Sequence, residues 1–536
     1  MDKLPLEILV KIAGYLPESV PDSQAGGRGG ISRIRPVLAS LSRKWQLAVE
    51  PLNFKSLFLK STEIDKFASV FSASQPHRRS SLRYLELRID LPPCSKADDV
   101  FTFESDQERL ANNAAATAAV SALFNILASW GPDSANSILL SISLHSLSDT
   151  MDVQHDGNQP GRRRSPRHDY SYVSVPGSVK LPSLPCIWSL VLDDRERKFH
   201  PQTAAALMAH TPEVKYINWT YKGPGIYTAL HRQLRNEFAR SISTLTLPPS
   251  ARSFTFSSSR SPPYRHHQRL PNLIHPHAHD PLCSALHHVL CRSNISWFSF
   301  TGALCPSLFW PYPPQNTGSQ PPPSHFFPSL TYFKVEFSMD SPSGRWYFRG
   351  DPSDAEFHVP SSDIPLPPDT PEHFPPGYGS PDDTAAALAY AEEMERDANR
   401  WVDPANGTSD VRAEFRIVVD DEVMLPLLAA VARAAAEMPK LETFYLSTEL
   451  ARDRGEWFVT YGAPGVRCGY ERYLDKEEGQ EGKKVEPENR GLDAPRVFLH
   501  VEEWRPDDEV MGLLRRVSRK SWGVDAKVVF LPFLYR

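Results

Sequence analysis

Between positions 266 and 291 the chain gathers seven histidines and two cysteines: His266, His267, His275, His277, His279, Cys283, His287, His288 and Cys291. Imidazole and thiolate are the ligands zinc takes most readily. Cys283, His287 and Cys291 recur every four residues, a spacing that puts them on one face of a helix. A metal-dependent enzyme built on this cluster is therefore one reading of the chain. Leu286 and Leu290 share the same face, however. A helix packed into a core, with buried thiols, accounts for the spacing without a ligand. The preferred expectation is accordingly no metal site, no cofactor and no catalytic residue.

Other chemistry is sparse. There is no Walker-type glycine loop, no Gly-x-Ser-x-Gly elbow and no His-Glu-x-x-His helix. Asp193-Asp194 and Asp420-Asp421 are neighbouring carboxylates, and the second pair precedes a helical pattern. There it would cap the helix and favour its dipole rather than perform acid–base work.

The bulk properties narrow the class further. A net charge of -5 over 536 residues offers no basic field for nucleic acid. The six cysteines are dispersed and form no Cys-x-x-Cys pair, so they read as reduced thiols. Asp2, Lys3 and Glu7 interrupt any apolar core of a signal peptide. Positions 111–130 are uncharged, but alanine and asparagine make them a soluble helix rather than a membrane span. A cytoplasmic or nuclear protein, with no membrane partner, is expected. Fifty prolines imply stiff turns and long insertions.

The first sixty residues form a module of their own. Pro5 suits the first turn of a helix, where its missing N–H costs nothing. Leu6, Leu9, Ile12, Ala13 and Leu16 recur at helical spacing, with Ile8 and Tyr15 widening the stripe. Pro17 to Gly30 reads as a loop. Pro36 restarts a helix whose apolar face is Leu38, Leu41, Trp45 and Ala48, and Glu50-Pro51 stops it. Phe54, Leu57, Phe58 and Leu59 follow as a short strand. About fifty residues bury too little surface to be comfortable alone, so such a module gains stability by packing on a partner.

Leu4, Pro5, Glu7, Ile8 and Leu9, followed by Arg43, Lys44 and Trp45, resemble the F-box, the adaptor-docking module of Skp–cullin–F-box ubiquitin ligases. Ser42 departs from the cysteine that many members carry there. The resemblance implies docking on the Skp adaptor, and through it cullin, by Leu4, Pro5, Glu7, Ile8, Leu9, Ile12, Leu16, Leu38, Leu41 and Trp45.

Downstream, one pattern recurs: apolar, two variable, apolar, one variable, apolar. It is seen at Leu82/Leu85/Leu87, Leu139/Ile142/Leu144, Val214/Ile217/Trp219, Ile295/Phe298/Phe300, Leu330/Phe333/Val335 and Leu441/Phe444/Leu446. Its last positions alternate as a strand does. Helical runs lie between: 106–130, 203–210, 229–240, 281–292, 382–401, 422–438 and 507–518. Alternation of strand and helix predicts an α/β fold of parallel strands. The spacing resembles irregular leucine-rich repeats, and the combination, with Arg345-Trp346-Tyr347-Phe348, is similar to fungal F-box proteins. The expected organisation is an F-box at 1–60 and an irregular leucine-rich-repeat-like solenoid at 61–536. Disordered insertions are expected near 151–185, 306–328, 352–381 and 475–490. Arg162 to Arg167 lies in the first of them, as a solvated loop or a nuclear-import or phosphorylation segment.

The resemblance implies a substrate receptor: adaptor at one end, an unknown protein target on the repeats, and no catalysis by the chain itself. The alternatives are the metal-dependent enzyme and an F-box scaffold without ligase output.

Overall fold

The computed structural model describes residues 4–15, 34–93, 103–131, 138–146, 170–194, 197–224, 227–259, 266, 269–310, 327–350, 373–375, 378, 416–450, 455–470 and 492–531, with a few single positions near 385. The fold is mixed α/β. A mostly parallel sheet of twelve strands dominates it, with helices in the connections. The chain divides into two compact units, residues 1–102 with 107–218, and residues 103–106 with 219–536.

The first unit opens with three helices, Leu6–Gly14, Ile34–Ala39 and Arg43–Asn53. Its main strands are β1 (Ser56–Lys60), β2 (Tyr84–Asp90), β3 (Ile138–His145) and β5 (Ile187–Asp193), followed by β7 (Tyr216–Lys222), which begins in this unit, in that order and parallel. β4 (Tyr172–Val173) and β6 (Lys198–Phe199) make a separate parallel pair. Parallel neighbours need a crossover. The helix Asp106–Ala128 supplies it between β2 and β3, and Pro201–Met208 supplies it between β5 and β7. Asp106–Ala128 is long and apolar enough to cross a membrane. It nevertheless buries Ala116, Val120, Leu123, Phe124 and Leu127 within the fold.

In the second unit the order is β8 (Ser253–Ser259), β9 (Trp297–Gly302), β10 (Tyr332–Phe337), β13 (Thr443–Glu449), β14 (Glu456–Gly462), β15 (Arg496–His500) and β16 (Lys527–Phe530). β11 (Phe348–Arg349) and β12 (Val418–Val419) pair apart from these. The helices Pro281–Cys291 and Asp421–Glu437 are crossovers.

The recurring apolar spacing lands in register. β2 aligns Leu85 and Leu87 with Leu140 and Ile142 of β3, and these with Leu190 and Leu192 of β5. In the second unit Phe254 meets Phe298, Phe298 meets Phe333, and Phe333 meets Phe444. Ring centroids in this column lie 5.6 Å and 5.5 Å apart for the first two steps. Each such ring is buried at 1% exposure or less, while alternate residues on the same strands are half-exposed. One face of the sheet is core and the other is wetter, the pattern of an alternating strand.

Several expectations change. Leu139 does not lead its strand; it pairs with Tyr84 and both are half-exposed, while Leu140, Ile142 and Leu144 are buried. Alternation forces this, since a one-residue offset turns every side chain over. The sheet is not parallel throughout: β13–β14 and β14–β15 are antiparallel. Residues 34–53 hold two helices rather than one, because the Ser42 hydroxyl accepts from the Trp45 N–H and starts the second. That helix runs through Pro51 to Asn53, since losing one N–H there still lets Phe54 N–H bond Glu50 O. Of the insertion expected at 151–185, residues 170–185 are described and hold β4, buried at Tyr172 and Val173, while 151–169 lie outside the described residues. Of that expected at 306–328, Pro306–Leu308 is a helical turn with Leu308 fully buried and Phe327 is buried, while 311–326 lie outside the described residues. Positions 352–372, 475–490, 162–167 and nearly all of 382–401 lie outside the described residues.

Candidate functional site

Two places in the fold hold residues with functional potential. The first is the N-terminal trio of helices. Its core is small: Leu9, Ala13, Trp45, Ala48 and Val49 are buried, with Leu4, Leu38 and Leu52 packed against them. Leu6–Gly14 is apolar nearly all round, yet only Leu9 and Ala13 of it are buried. Ile8 is 41% exposed, Ile12 39%, and Leu41, on the turn before Ser42, 55%. A helix apolar on every side is ordinarily enclosed. Here most of its apolar surface is uncovered, the condition for a partner-docking helix.

The residues expected to dock thus separate. Pro5, Glu7, Ile8, Ile12 and Leu41 are exposed. Leu4 and Leu38 are half-buried, and Leu9 and Trp45 are core residues that can only hold the module in shape. Leu16 lies outside the described residues. Leu6, Val10, Tyr15, Val37 and Leu47 are also exposed; Leu6 and Tyr15 belong to the apolar stripe read from the sequence, but none of the five is among the residues the resemblance implies for docking. The missed signal was the number of apolar residues off the buried stripe.

Also missed was the anchor of this module. Glu50, buried at 6% exposure, accepts from Arg78 at 2.7 Å, from Gln46 at 2.8 Å, and sits 2.9 Å from His77. Burial alone would push its carboxyl up, but the Arg78, Gln46 and His77 hydrogen bonds outweigh that and hold it below the usual glutamate value. The sign follows from linkage: a depressed carboxyl stabilises above the ordinary glutamate range and loses that stabilisation as pH falls through its folded value. Glu50→Gln should cost about 1.5–3 kcal/mol at neutral pH, the worth of hydrogen bonds to a charged group. The loss should shrink on acidification, as thermal denaturation of the two proteins across pH would report.

The second place lies in the second unit, around the His/Cys run for which a core-packed helix is the preferred reading and a metal cluster the alternative. The run does not converge as that alternative would need. His275, His277 and His279 are exposed in the loop before the helix, and His267 lies outside the described residues. His266 is buried, its Nδ1 accepting from Arg416 N–H at 2.8 Å. His287 Nδ1 is 3.0 Å from Leu308 O, so it carries the proton and donates. His287 Nε2 then accepts from Cys291 at 3.5 Å. Burial pushes His287 down to about 4, so it is neutral at physiological pH.

What does come together is a different set. Asp280, Cys283 and Cys305 place their ligand atoms within 4.8 Å of one another. Asp280 caps Pro281–Cys291, accepting from Leu282 N–H at 3.1 Å and Cys283 N–H at 3.4 Å. Arg235, from the helix Thr228–Ser243, forks onto the same carboxylate, with Nε 3.0 Å from Oδ1 and a second, shorter contact to Oδ2. The guanidinium also donates to Ala303 O at 3.3 Å. Gly302, at φ +136, lets β9 end against Ser258 where any side chain would collide, which brings Ala303 to that guanidinium. Burial opposes both charges, but each partner outweighs it: Asp280 is held below the ordinary carboxyl value and Arg235 above its own. Asp280 is therefore fully engaged, which leaves a metal only the two thiols of the trio. Tyr347 is fully buried, its hydroxyl donating to Leu304 O at 2.9 Å.

The chain matches no family model and no curated protein.

Proposed function

We propose that the chain is a non-catalytic substrate receptor of a Skp–cullin–F-box ubiquitin ligase. Its N-terminal helices would dock the Skp adaptor, and its repeat-like strands would hold a protein target. The observation that carries the reading is the uncovered apolar surface of Leu6–Gly14, on which Ile8 and Ile12 are exposed beside a buried Leu9 and Ala13. That surface coincides with the Leu4, Pro5, Glu7, Ile8 and Leu9 motif that resembles an F-box. The in-register apolar columns of β2, β3 and β5, and of β8, β9, β10 and β13, support the leucine-rich-repeat-like part of the reading. In this role the chain accelerates transfer by proximity, bringing a target to the enzyme that carries ubiquitin.

The test is a binding titration of purified Skp adaptor against the full chain. The wild type should bind, and Ile8→Asp/Ile12→Asp should weaken binding about 1000-fold, as loss of two docking anchors of about 2 kcal/mol each would. Both side chains are exposed, so the variant should keep its circular dichroism and thermal midpoint. Absence of binding by the wild type, or equal binding by a folded variant, would overturn the reading.

A further inference from the structure

We propose that Cys283 and Cys305 are a dithiol that a hydroperoxide converts to a disulfide, with Cys305 the thiol that is oxidised and Cys283 the thiol that closes the bond. The proposal is independent of the ligase reading; it concerns a modification site within the second unit.

The geometry sets the roles. The two sulfurs lie within 4.8 Å of each other, although 21 residues separate them in sequence. They come from different elements: Cys283 from the first turn of Pro281–Cys291, and Cys305 from the loop that leaves β9 and opens the Pro306–Leu308 turn. Cys283 is fully buried, while Cys305 keeps part of its residue surface exposed, so Cys305 is the one of the pair that lies nearer solvent. Cys305 Sγ is 2.9 Å from the Ser307 hydroxyl. Arg235 stands behind Cys283, its guanidinium nitrogen 4.0 Å from Sγ.

Acidity runs the same way. The Cys305 thiol is lowered, chiefly by the hydrogen bond from Cys283 and further by the Ser307 hydroxyl and amide, against burial and the Asp280 charge. Cys283 is raised, chiefly by burial. One sulfur therefore accepts negative charge while its neighbour keeps a proton to donate. The thiolate is the reactive form.

The chemistry balances. The Cys305 thiolate attacks one peroxide oxygen; the S–O bond forms, the O–O bond breaks, and hydroxide leaves and is protonated to water. Cys305 is now a sulfenic acid. Cys283 sulfur attacks it; the S–S bond forms, the S–O bond breaks, and the departing hydroxide takes the Cys283 proton as a second water. Two thiols lose two electrons and one hydrogen peroxide gains them.

A metal is the competing use of these atoms, and the geometry disfavours it. Asp280 is committed to Arg235 and to the two amides of its own helix cap. His287 is turned to Leu308 and Cys291. A cation would find two sulfurs and an occupied carboxylate, short of the four ligands zinc takes.

The experiment uses the full-length protein, reduced, freed of reductant, and treated with stoichiometric hydrogen peroxide. Tryptic digestion without reduction should give a cross-link between the 270–292 and 293–334 peptides, which hold Cys283 with Cys291 and Cys305 respectively. The link should persist in Cys291→Ser and vanish in Cys283→Ser and in Cys305→Ser. Cys283→Ser should leave Cys305 as a sulfenic acid that dimedone captures, and Cys305→Ser should give no such adduct at Cys283. Circular dichroism confirms that each variant is folded. Absence of the link in wild type, its loss in Cys291→Ser, or stoichiometric zinc that Cys305→Ser removes would each overturn the proposal.

Discussion

Arg235→Ala should destabilise the second unit by about 3–5 kcal/mol, the range for stranding one member of a buried ion pair. Arg235 is 1% exposed and Asp280 not at all. Alanine leaves the carboxylate with only its cap amides, in a setting that excludes water. The pH dependence should reverse sign as well. In the wild type Asp280 is held below its ordinary value of 3.8, so its stabilisation is present above that value and fades as pH falls through the lower folded one. Without the guanidinium, burial raises the folded value above the unfolded one. The variant then keeps its relative stability below the ordinary aspartate value and loses it as pH rises from there through the raised folded value. Chemical denaturation of both proteins over acidic to neutral pH measures this directly. A double variant, Arg235→Met/Asp280→Ser, should recover most of the loss. It removes both charges and keeps a hydroxyl for the helix cap, which is worth about 1 kcal/mol. If the single and double variants fall equally, the pair is not the source of the loss.

The second large effect is at Trp45. Its indole is 3% exposed and packs with Leu9, Ala13, Ala48 and Val49. Trp45→Ala should cost about 3–5 kcal/mol of the packing that holds the first three helices together. With so few buried residues in that cluster, such a loss should free Leu6–Gly14 from its neighbours. Hydrogen exchange should then show the amides of Leu9 to Ala13 unprotected, while β9 and β10 keep their wild-type protection. Under the proposed function, adaptor binding disappears with the helix. Leu41→Ala is the control: at 55% exposure its effect on stability should stay within about 0.5 kcal/mol. Under the proposed function Leu41→Ala should nonetheless weaken adaptor binding, since Leu41 belongs to the proposed docking surface. Unchanged exchange at Leu9 to Ala13 in Trp45→Ala would contradict the role given to the indole.

Much of the strand content was legible. Leu82, Leu85 and Leu87 are all buried, as are Ile295, Phe298 and Phe300, because alternation at the end of each unit is the imprint of a one-sided strand. Helix ends were legible where a cap residue marks them: Asp420 accepts from Glu422 N–H, and Asp507 from Val510 N–H. β8 was missed, although Ala251, Phe254 and Phe256 carry the same spacing and are all buried. β14 was missed because its residues alternate weakly; Trp457, Phe458, Val459, Thr460 and Tyr461 are all buried. A strand buried on both sides loses the period that betrays it.

The candidate sites divide along the same line. The apolar stripe of Leu6–Gly14 and the capping of the later helices are local properties, set by residues within a turn or two of each other, and the order of types along the chain suffices to write them down. Which apolar residues stay uncovered is not local: Leu9 is enclosed and Ile8 is not because Trp45 and Val49 come to one side of the helix only. The polar cluster is further still from sequence reach. Arg235, Asp280 and Cys305 meet across 45 and 25 residues, from a helix, a helix cap and a loop. The histidine-rich run looked the stronger candidate because its ligand types are neighbours in sequence. Tertiary packing instead turned His287 to a carbonyl and set Cys283 against a cysteine beyond the next strand. By itself, then, the sequence determined the α/β alternation, the one-sided strands and the apolar first helix, because periodicity is a short-range property. Only the tertiary structure decided which thiol, which charge and which apolar face are left with chemistry to do, because those depend on which crossovers bring distant residues within contact distance.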